Sequence, residues 1–582
     1  MPTLDWIGKK AVINHHQDVP YRLIHCDSRL SAGDPDAGNL LVEGDNLDAL
    51  KALLPYYAGK VKCIYIDPPY NTGSEEWIYN DNVNSPQIVK WLGEAVGKEA
   101  EDLSRHDKWL CMMYPRLRLL REFLTDDGVL LCSIDDNEAI YTRILLNDIF
   151  GTRNFVAQLV WEKGRKNDAK LFSVGHDYIF AFARNVAALE SVVWRSPKEG
   201  VVEIATEYHR LKNEYGNEFE SMSKALSEFY ARLPKGHPSK KYSRARNADE
   251  RGVWRDNNIS WHGGGGPKYD IIHPVTGRAC KVPDDGWRFV EETMKQKIAD
   301  GYVIFREDHT KPPIYKSYIY MEKGLPSENT EYEGQSEVLG SVFYRHTQPS
   351  NDVMKSIFGE KVFPNPKDHE ILARLIRYVT SGSKNCIILD SFAGSGSTGH
   401  AVLELNHADG GSRRFVLVEV DKKTASEITS IRLARVIDEL EKNASPAVTS
   451  QCSGFRYCSL GEPLFDADGG ISPSVTFPDL AAHVFFAETG QPIPKKAQVG
   501  NPFLGAFQNR AVYLLWSREG ASKPGAHKDN MLTIETLAAL PPPTADFSGE
   551  RVVYADGCTV SPERLARDKI LFKQVPYRVA GN

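Results

Sequence analysis

Several features that would narrow the function of a chain are missing from these 582 residues. No two cysteines have the Cys-x-x-Cys spacing of a zinc site, no apolar run reaches the length of a membrane span, and there is no internal repeat. The N-terminus does not have the layout of a signal peptide. We therefore expect a cytoplasmic protein without a structural zinc and without contact to a membrane.

Charge and cysteine usage give weaker limits. The formal net charge is −6, which neither requires nor excludes a nucleic acid, because a basic groove can lie on a mildly acidic protein. The nine cysteines are scattered, and several lie in apolar runs as small buried thiols do, which favours a reducing compartment. The length predicts three or so domains.

A short apolar run at residues 61–66 ends on Asp67, Pro68, Pro69 and Tyr70. The run predicts a buried parallel strand, and because proline cannot continue a central strand, the chain must turn there. In open α/β sheets this carboxyl edge is where ligands bind. The turn offers an anionic acceptor, backbone carbonyls and an aromatic face, which suit a flat ring bearing an amine. The alternative is a strand that simply ends at an Asp-Pro turn.

A second stretch of interest lies much later in the chain. An apolar strand at 386–390 is followed by a loop of serine and glycine at 391–398 and by a helical run at 399–405. Glycines permit close backbone approach, and a helix N-terminus offers N–H groups to an anion. The next strand ends at Glu419, whose carboxylate can accept from both hydroxyls of a ribose. The loop has neither the P-loop ending nor the glycine spacing of a dinucleotide fingerprint.

Together the two stretches resemble one family, the amino-group DNA methyltransferases that use S-adenosylmethionine. Asp67-Pro68-Pro69-Tyr70 is similar to the catalytic motif of that family, and Phe392-Ala393-Gly394-Ser395-Gly396 to its cofactor motif. The catalytic motif comes first, as in the β class. Within that class, residues 43–50, 71–73, 109–117 and 133–138 resemble the modification (Mod) subunits of type III restriction-modification systems.

The resemblance implies a fold and a domain order. The fold class is α/β: a Rossmann-like methyltransferase core with a permuted, mostly parallel seven-stranded sheet, an inserted target-recognition domain and a C-terminal α+β domain. We expect an N-terminal arm at 1–38 and the catalytic half of the core at 39–185. The target-recognition domain follows at 186–345, the cofactor-binding half of the core at 346–445, and a domain for assembly or DNA holding at 446–582.

The resemblance also implies site residues. Asp67, Pro68, Pro69 and Tyr70 are the expected catalytic residues, and no metal is required. The residues expected to bind S-adenosylmethionine are Asp45, Asp390, Phe392, Ala393, Gly394, Ser395, Gly396, Ser397, Thr398 and Glu419. Asp45 would approach the adenine of the cofactor, and its alternative role is to cap a helix at 46–54.

Basic side chains among aromatic residues suit contacts to phosphates and base edges. The expected DNA-binding residues are Lys163, Arg165 and Lys166 in a short glycine-broken loop, and Lys240, Lys241, Arg244, Arg246 and Trp261 in the inserted domain. A solvated loop or face is the alternative for each group.

Two further stretches resemble the family. Residues 71–107 are polar, with a charged helix around 94–105, and in relatives this region folds over the active site; a surface insertion is the alternative. Residues 363–367 resemble the tenth motif, which closes over the methionine end of the cofactor. Many relatives have Lys-Pro where this chain has Pro366-Lys367, so we assign Lys367 no specific role.

The predicted activity is methyl transfer from S-adenosylmethionine to the N6 amine of a flipped-out adenine in double-stranded DNA. Type III membership implies a homodimer and a helicase-nuclease restriction subunit as partner. An N4-cytosine methyltransferase is the nearest alternative, and the aspartate at position 67 favours adenine. Methylation of glutamine or RNA, where the motif begins with asparagine, and a DNA-binding specificity subunit with a decayed site are more distant alternatives.

Overall fold

The computed structural model describes residues 4–71, 105–164, 171–235, 237–321, 336–345, 348–380, 383–442, 453–466, 470–517, 530–543 and 547–575. The chain forms two compact units, one of Met1–Val193 with Gly340–Asn582 and one of Trp194–Leu339. Arg165, Lys166 and residues 94–104 of the predicted charged helix lie outside the described residues. Within the described ranges, no helix combines the length and apolar character needed to cross a membrane.

The first unit is built on a ten-stranded sheet with the strand order β1-β10-β2-β9-β8-β3-β4-β6-β5-β7. Its strands are β1 (Arg22–Gly33), β2 (Leu40–Glu43), β3 (Val61–Ile66), β4 (Leu124–Ile134), β5 (Phe155–Glu162), β6 (His176–Ala183), β7 (Val342–Tyr344), β8 (Ile387–Asp390), β9 (Arg414–Glu419) and β10 (Gly454–Pro463).

The expectation of seven strands is wrong, although the seven central strands, from β2 to β5 in the sheet order, contain the predicted runs. Strands β2, β9, β8, β3 and β4 are mutually parallel, and β4, β6 and β5 are antiparallel. Three more strands extend the edges: β10 runs parallel to β2, β1 antiparallel to β10, and β7 parallel to β5. Edge strands need little apolar patterning. Because β1 and β7 are mostly half-buried or exposed, their residues show no pattern that predicts a strand.

The described residues of the first unit form twelve helices, the last two of which pack against C-terminal strands outside this sheet. They are α1 (Lys9–Val12), α2 (His15–Asp18), α3 (Asn46–Tyr57), α4 (Arg105–Phe123), α5 (Ala139–Phe150), α6 (Gln348–Phe358), α7 (His369–Val379), α8 (Ser397–Asp409), α9 (Ser430–Lys442), α10 (Phe477–Thr489), α11 (Ile534–Ala539) and α12 (Pro562–Arg567). A π-helix at Thr424–Thr429 leads into α9, and 3-10 turns occupy Thr152–Asn154 and Val186–Leu189. The interior between sheet and helices is apolar, with Trp109 and Phe123 of α4 fully buried.

The strand order positions the two sequence motifs. β3 and β8 are parallel neighbours, and β9 lies beside β8. Their carboxyl ends therefore meet at one edge of the sheet, and the loops that follow them share that edge.

The last part of the first unit carries a separate four-stranded sheet, made of Phe503–Phe507, Arg510–Leu514, Glu550–Ala555 and Ile570–Gln574. The same part of the chain also forms a two-stranded sheet, in which Met531–Leu532 pairs with Gly557–Cys558. The strand β10 belongs to the main sheet, although the sequence boundary at 446 places it with the C-terminal domain.

The cysteines differ in part from the expectation of buried thiols. Cys26 of β1 faces Cys458 of β10, and the structure joins the two in a disulfide. The other cysteines of the described ranges are free, and all except Cys558 are buried. The pairing depends on the register of two edge strands, which the sequence did not reveal.

The second unit lies within the predicted target-recognition segment. Its helices are Val201–Tyr215, Phe219–Arg232 and Glu291–Ala299, with a 3-10 turn at Pro238–Tyr242. Its main sheet pairs Val303–Ile304, Ile314–Met321, Gly252–Asn258 and Asn247–Asp249 in that order, and Ser196–Pro197 pairs with Ser336–Glu337. Two apolar clusters form its interior, one around Tyr208 and Leu226 and one around Ile259 and Trp287.

Candidate active site

The loop after β3, residues 67–71, carries the predicted catalytic residues Asp67 and Tyr70, and we call it the catalytic loop. The side chains of these two residues contact each other. The Tyr70 hydroxyl lies 2.9 Å from Asp67 Oδ1, 2.7 Å from Asp177 Oδ2 and 3.2 Å from Ser133 Oγ. Burial, together with the two carboxylates, raises the pKa of Tyr70 well above its ordinary value, so the phenol keeps its proton. The ring is therefore fixed at its hydroxyl end, with its face beside the pocket.

Buried side chains of neighbouring elements hold this loop in place. Trp109 Nε1 donates to the carbonyl of Pro69 at 2.8 Å. Asn71, in a left-handed conformation with φ 53°, donates to the carboxylate of Glu138, which also lies 2.7 Å from His106 Nδ1. Glu138 is fully buried, and this burial raises its pKa. The prolines and this network leave the catalytic loop little freedom to move.

Lys367 reaches the catalytic loop from the segment before α7. Its ammonium lies 2.5 Å from Asp67 Oδ2, 4.0 Å from Asp177 Oδ2 and 4.8 Å from the centre of the Tyr70 ring. Its side chain is only 12% exposed. The sequence assigned no role to Lys367, and the structure places it at the centre of the site.

Lys163 completes a set of two ammonium groups and two carboxylates. Its Nζ contacts Asp177 Oδ2, and burial together with the nearby Lys367 lowers its pKa. The residue was predicted to contact DNA phosphates, and the structure places it in the wall of the pocket beside Trp161. Its contact to phosphate stays a prediction. Asp177, at the start of β6, had no assigned role, because only the fold brings it to Tyr70.

The loop after β8, residues 391–396, is called the cofactor loop after its predicted role. Two buried carboxylates hold it. Asp390 accepts from the Phe392 N–H at 2.9 Å and from the Thr398 hydroxyl at 2.6 Å. Glu419, at the end of β9, accepts from the Gly394 N–H at 2.7 Å. Burial raises the pKa of Asp390 to about 7 and that of Glu419 to about 8.

The conformation of this loop requires its glycines. Gly394 has φ 50° and Gly396 has φ 79°, which are left-handed values that favour glycine. A Cβ on Gly396 would lie 2.9 Å from the Thr429 side chain. A backbone that permits close approach, beside a strand-end carboxylate that can accept from ribose hydroxyls, suits a nucleoside. The residues present therefore fit S-adenosylmethionine, and contact between Glu419 and its ribose stays a prediction.

A buried arginine ties this loop to Lys367. Arg432 of α9 is 1% exposed and donates to Ser395 O, Ser395 Oγ and Ser397 Oγ at 2.9–3.2 Å. Ser397 Oγ in turn donates to the backbone carbonyl of Lys367 at 2.8 Å. Burial lowers the pKa of Arg432 to about 10. Arg432 was not among the predicted site residues, because its position on the inner face of α9 marks it only as a helical residue.

His369, His400 and Glu404 lie close enough together to suggest a metal site, with ligand atoms within 4.8 Å of one another. Arg432 donates to His400 Nδ1, so the proton of this neutral ring is on Nε2, which lies 3.1 Å from Glu404. That nitrogen has no lone pair for a metal, and the cluster is better described as a hydrogen-bonded link between α7, α8 and α9.

Asp45 has the alternative role that the sequence left open. It is the N-cap of α3 and accepts from the N–H groups of Leu47 and Asp48 at 2.9 and 3.2 Å. Arg116 donates to its other oxygen at 3.0 Å. The capping role is confirmed, and contact with the adenine of the cofactor stays a prediction.

Two adjoining openings at the sheet edge bring the motifs together. The larger one has a volume of about 740 Å³ and is lined by Tyr70, Asp177, Lys163 and Trp161, among others. The smaller is a cleft of about 40 Å³ lined by Asp67, Asp390, Thr398 and residues 392–395. Asn365 and Lys367 line both. The catalytic and cofactor loops thus face a common space around Lys367.

The predicted DNA-binding residues of the second unit lie at its surface to different degrees. Lys241, Arg244 and Arg246 are exposed, and Trp261 is 47% exposed. Lys240 is half-buried and donates to the carbonyl of Leu233 at 2.5 Å. Lys241 lies 5.0 Å from the ring centre of Tyr242.

Residues 61–430 match the family described as DNA methylase, in its N6/N4 amino-group form. The chain belongs to this family. The match confirms the predicted enzyme class, an S-adenosylmethionine-dependent DNA methyltransferase, and it spans both the catalytic loop and the cofactor loop of the methylase.

Several characterised relatives of this methylase are Mod subunits of type III restriction-modification enzymes. The EcoP15I Mod subunit of Escherichia coli is 31% identical over 74% of this chain and 66% of its own length. The StyLTI Mod subunit of Salmonella typhimurium is 30% identical over 94% of this chain and 78% of its own. The EcoPI Mod subunit of Escherichia phage P1 is 28% identical over 83% and 74%.

A solved structure, PvuII DNA methyltransferase (cytosine-N4-specific), aligns with 71% of this chain and 95% of its own at 10% identity and a TM-score of 0.32. That likeness is too weak to carry a conclusion.

Proposed function

We propose that this chain methylates the N6 amine of an adenine in double-stranded DNA, as the Mod subunit of a type III restriction-modification system. The observation that carries the proposal is the position of Lys367, whose ammonium contacts Asp67 while its carbonyl is bonded to the cofactor loop. An acceptor for an amine and an aromatic face lie directly beside a nucleoside-binding loop. The relatives that are Mod subunits support the assignment.

The amine of adenine is a weak nucleophile because its lone pair is delocalised into the ring. Asp67, or the backbone carbonyl of Pro68, accepts an N6 hydrogen and draws the nitrogen toward tetrahedral geometry. Tyr70, fixed at its hydroxyl by Asp67 and Asp177, stacks on the ring. Asp67 therefore holds the amine as an acceptor, and the chain contributes orientation and electrostatics.

The target base must leave the duplex to reach this pocket, at a cost of roughly a few kcal/mol. Bound S-adenosylmethionine supplies an already activated methyl group. Glu419 would hold the ribose hydroxyls of this cofactor, while residues 390–398 shape the loop around it. When the bond from N6 to the methyl carbon forms, the sulfur–carbon bond breaks, its electron pair stays on sulfur, and a proton leaves N6 for water.

The second unit, 194–339, would supply target recognition. Its exposed Lys241, Arg244 and Arg246, with Trp261, are the residues from which we expect phosphate and base contacts. The methylase would work in the cytoplasm as a homodimer that joins a helicase-nuclease restriction subunit. Residues 446–582 are the proposed region for assembly or for holding DNA.

Methylation-aware sequencing of DNA from cells expressing this chain tests the proposal. We expect N6-methyladenine at one short sequence motif, and none in cells that express Asp67→Ala. N4-methylcytosine at the motif would instead support the N4-cytosine methyltransferase alternative. No modified base, from a protein that binds DNA but does not retain S-adenosylmethionine, would support the decayed specificity subunit.

A further inference from the structure

Among the described residues, Lys367 is the one polar side chain that contacts the Asp67 carboxylate and also lines both openings of the site. We propose that Lys367 reads the flipped adenine by donating a hydrogen bond to ring nitrogen N1, while Asp67 accepts from the adjoining N6 amine. This inference rests on the proposed function and names a base-contacting residue for it.

The geometry sets a donor beside an acceptor. Lys367 Nζ and Asp67 Oδ2 are 2.5 Å apart, and the ammonium lies 4.8 Å from the centre of the Tyr70 ring. Because the ammonium lies over the ring, a base that enters against Tyr70 meets both the ammonium and the Asp67 carboxylate. An ammonium carries three N–H donors, and the bond to Asp67 uses one of them.

The backbone of Lys367 is held in place by hydrogen bonds. Its backbone carbonyl accepts from Ser397 Oγ, and Ser397 is bonded to the buried Arg432. The next residue, Asp368, caps α7 and is bonded to Arg345 at 3.0 Å. The side chain is thus aimed from the cofactor loop into the base pocket, as a base-reading group requires.

The two lysines are paired with different carboxylates. Lys163 contacts Asp177, and Lys367 contacts Asp67. Of the two lysines, Lys163 is paired away from Asp67, whereas Lys367 is bonded to the oxygen that is expected to receive the amine. Lys163 is therefore a matched comparison: the same side chain, in the same pocket, on the other carboxylate.

The pair selects a class of bases. Flipped bases are read along their Watson–Crick edge. Adenine and cytosine present an amine beside a ring acceptor, which matches Asp67 and Lys367 in order. Guanine and thymine present a carbonyl beside a ring N–H, which would set oxygen against carboxylate and N–H against ammonium.

The pair also directs the methyl group. The N1 lone pair lies in the ring plane and is more nucleophilic than the delocalised pair on N6. A hydrogen bond from Lys367 occupies the N1 lone pair, so the amine held by Asp67 is the nitrogen that remains free to attack.

The test uses the full-length protein and duplexes that contain its recognised site with adenine, 1-deazaadenine or 7-deazaadenine at the target position. For the wild type, we expect kcat/KM to fall about 10- to 100-fold when N1 is replaced by C–H, the effect of losing a hydrogen bond to a charged group. Replacing N7 should change it less than about 3-fold, because that nitrogen is off the edge being read.

Variants separate the roles of the two lysines. Lys367→Met should methylate adenine slowly and treat adenine and 1-deazaadenine alike, whereas Lys163→Met should keep the wild-type ratio between the two bases. 1-Deazaadenine weakens base pairing in the duplex equally for every variant. The readout is therefore the adenine to 1-deazaadenine ratio of kcat/KM, compared between variants. If Lys367→Met does not fold, Lys367→Arg, which keeps the charge, should preserve the 1-deazaadenine penalty.

An undiminished 1-deazaadenine penalty in Lys367→Met, or a penalty that appears only with 7-deazaadenine, would overturn the inference. Failure of the proposed function gives a different result, since the wild type would then not methylate the unmodified adenine duplex at all.

Discussion

The catalytic loop and the cofactor loop of this methylase lie at the same sheet edge but are held in different ways. The cofactor loop is held mainly by the carboxylates that end its flanking strands: backbone N–H groups of Phe392 and Gly394 donate to Asp390 and Glu419. Arg432 of α9 adds a contact from farther along the chain. The catalytic loop is fixed by side chains from distant parts of the chain, including Lys367 and Asp177. A loop fixed by local carboxylates can be recognised from its sequence, whereas a loop fixed by remote partners is visible only in part.

The largest expected effect comes from removing the acceptor of the catalytic loop. Asp67→Ala should lower the rate of methyl transfer by about 10³-fold, because the amine loses the group that orients it. DNA affinity and cofactor affinity should stay near those of the wild type. Methyl incorporation from labelled cofactor and DNA binding by fluorescence anisotropy measure the two properties. Loss of DNA binding together with activity would show that the catalytic site is elsewhere.

The next effect tests how the two loops are joined. Arg432→Met should lower the free energy of unfolding by about 3 kcal/mol, since it leaves buried acceptors in the cofactor loop without their charged partner. Urea denaturation measures the change. Arg435→Met, an exposed position on the same helix, is the control and should change stability by less than about 0.5 kcal/mol. Equal effects of the two substitutions would contradict a special role for Arg432.

Cofactor binding is the test of the locally fixed loop. Glu419→Ala should weaken binding of S-adenosylmethionine by about 10- to 100-fold, because the ribose hydroxyls lose their carboxyl acceptor. Isothermal titration calorimetry of the purified protein measures the affinity. Glu427→Gln, exposed on the π-helix nearby, should bind as the wild type does. Unchanged affinity in Glu419→Ala would remove Glu419 from the cofactor site.

The same carboxylate predicts how stability depends on pH. In the folded, cofactor-free protein Glu419 ionises at about pH 8, against an ordinary value of 4.5 in the unfolded chain. Between these values the folded state binds more protons, so the stability that protonated Glu419 contributes at low pH is lost as pH rises toward 8. Unfolding free energy should fall by about 2 kcal/mol between about pH 6 and pH 8, and less in Glu419→Gln. Equal slopes for the two proteins in urea titrations would contradict the assignment.

The smallest effect concerns DNA held by the second unit. Arg246→Ala should weaken DNA binding a few-fold for all sequences, and should reduce the salt dependence of the affinity by about one unit of slope. Binding titrations from low to high salt give that slope. Lys295→Ala, an exposed lysine paired with Glu291, is the control and should leave it unchanged. A substitution of Arg246 that changes sequence preference instead would indicate contact with a base.

The same distinction explains what the sequence could predict. The strands that end at Asp67 and Glu419, the β5–β6 hairpin and the cap at Asp45 follow from short stretches of sequence, and the structure has them. Lys367 was passed over because its order with Pro366 departs from the family, and Asp177 because a strand start gives no sign of the partner across the sheet. Arg432, the Cys26–Cys458 pair and the edge strands β1 and β7 depend on register and long-range packing, which local patterns do not encode.

A crystal structure of the methylase with its duplex and a non-reactive analogue of S-adenosylmethionine is the most direct test that the two loops serve one reaction. We predict that the target base leaves the helix and stacks on Tyr70, with its amine within about 3 Å of Asp67 and pointing toward the position of the methyl group. The sugar of the analogue should contact Glu419. A base that stays in the duplex while the analogue is bound, or an analogue bound away from Glu419, would contradict the account.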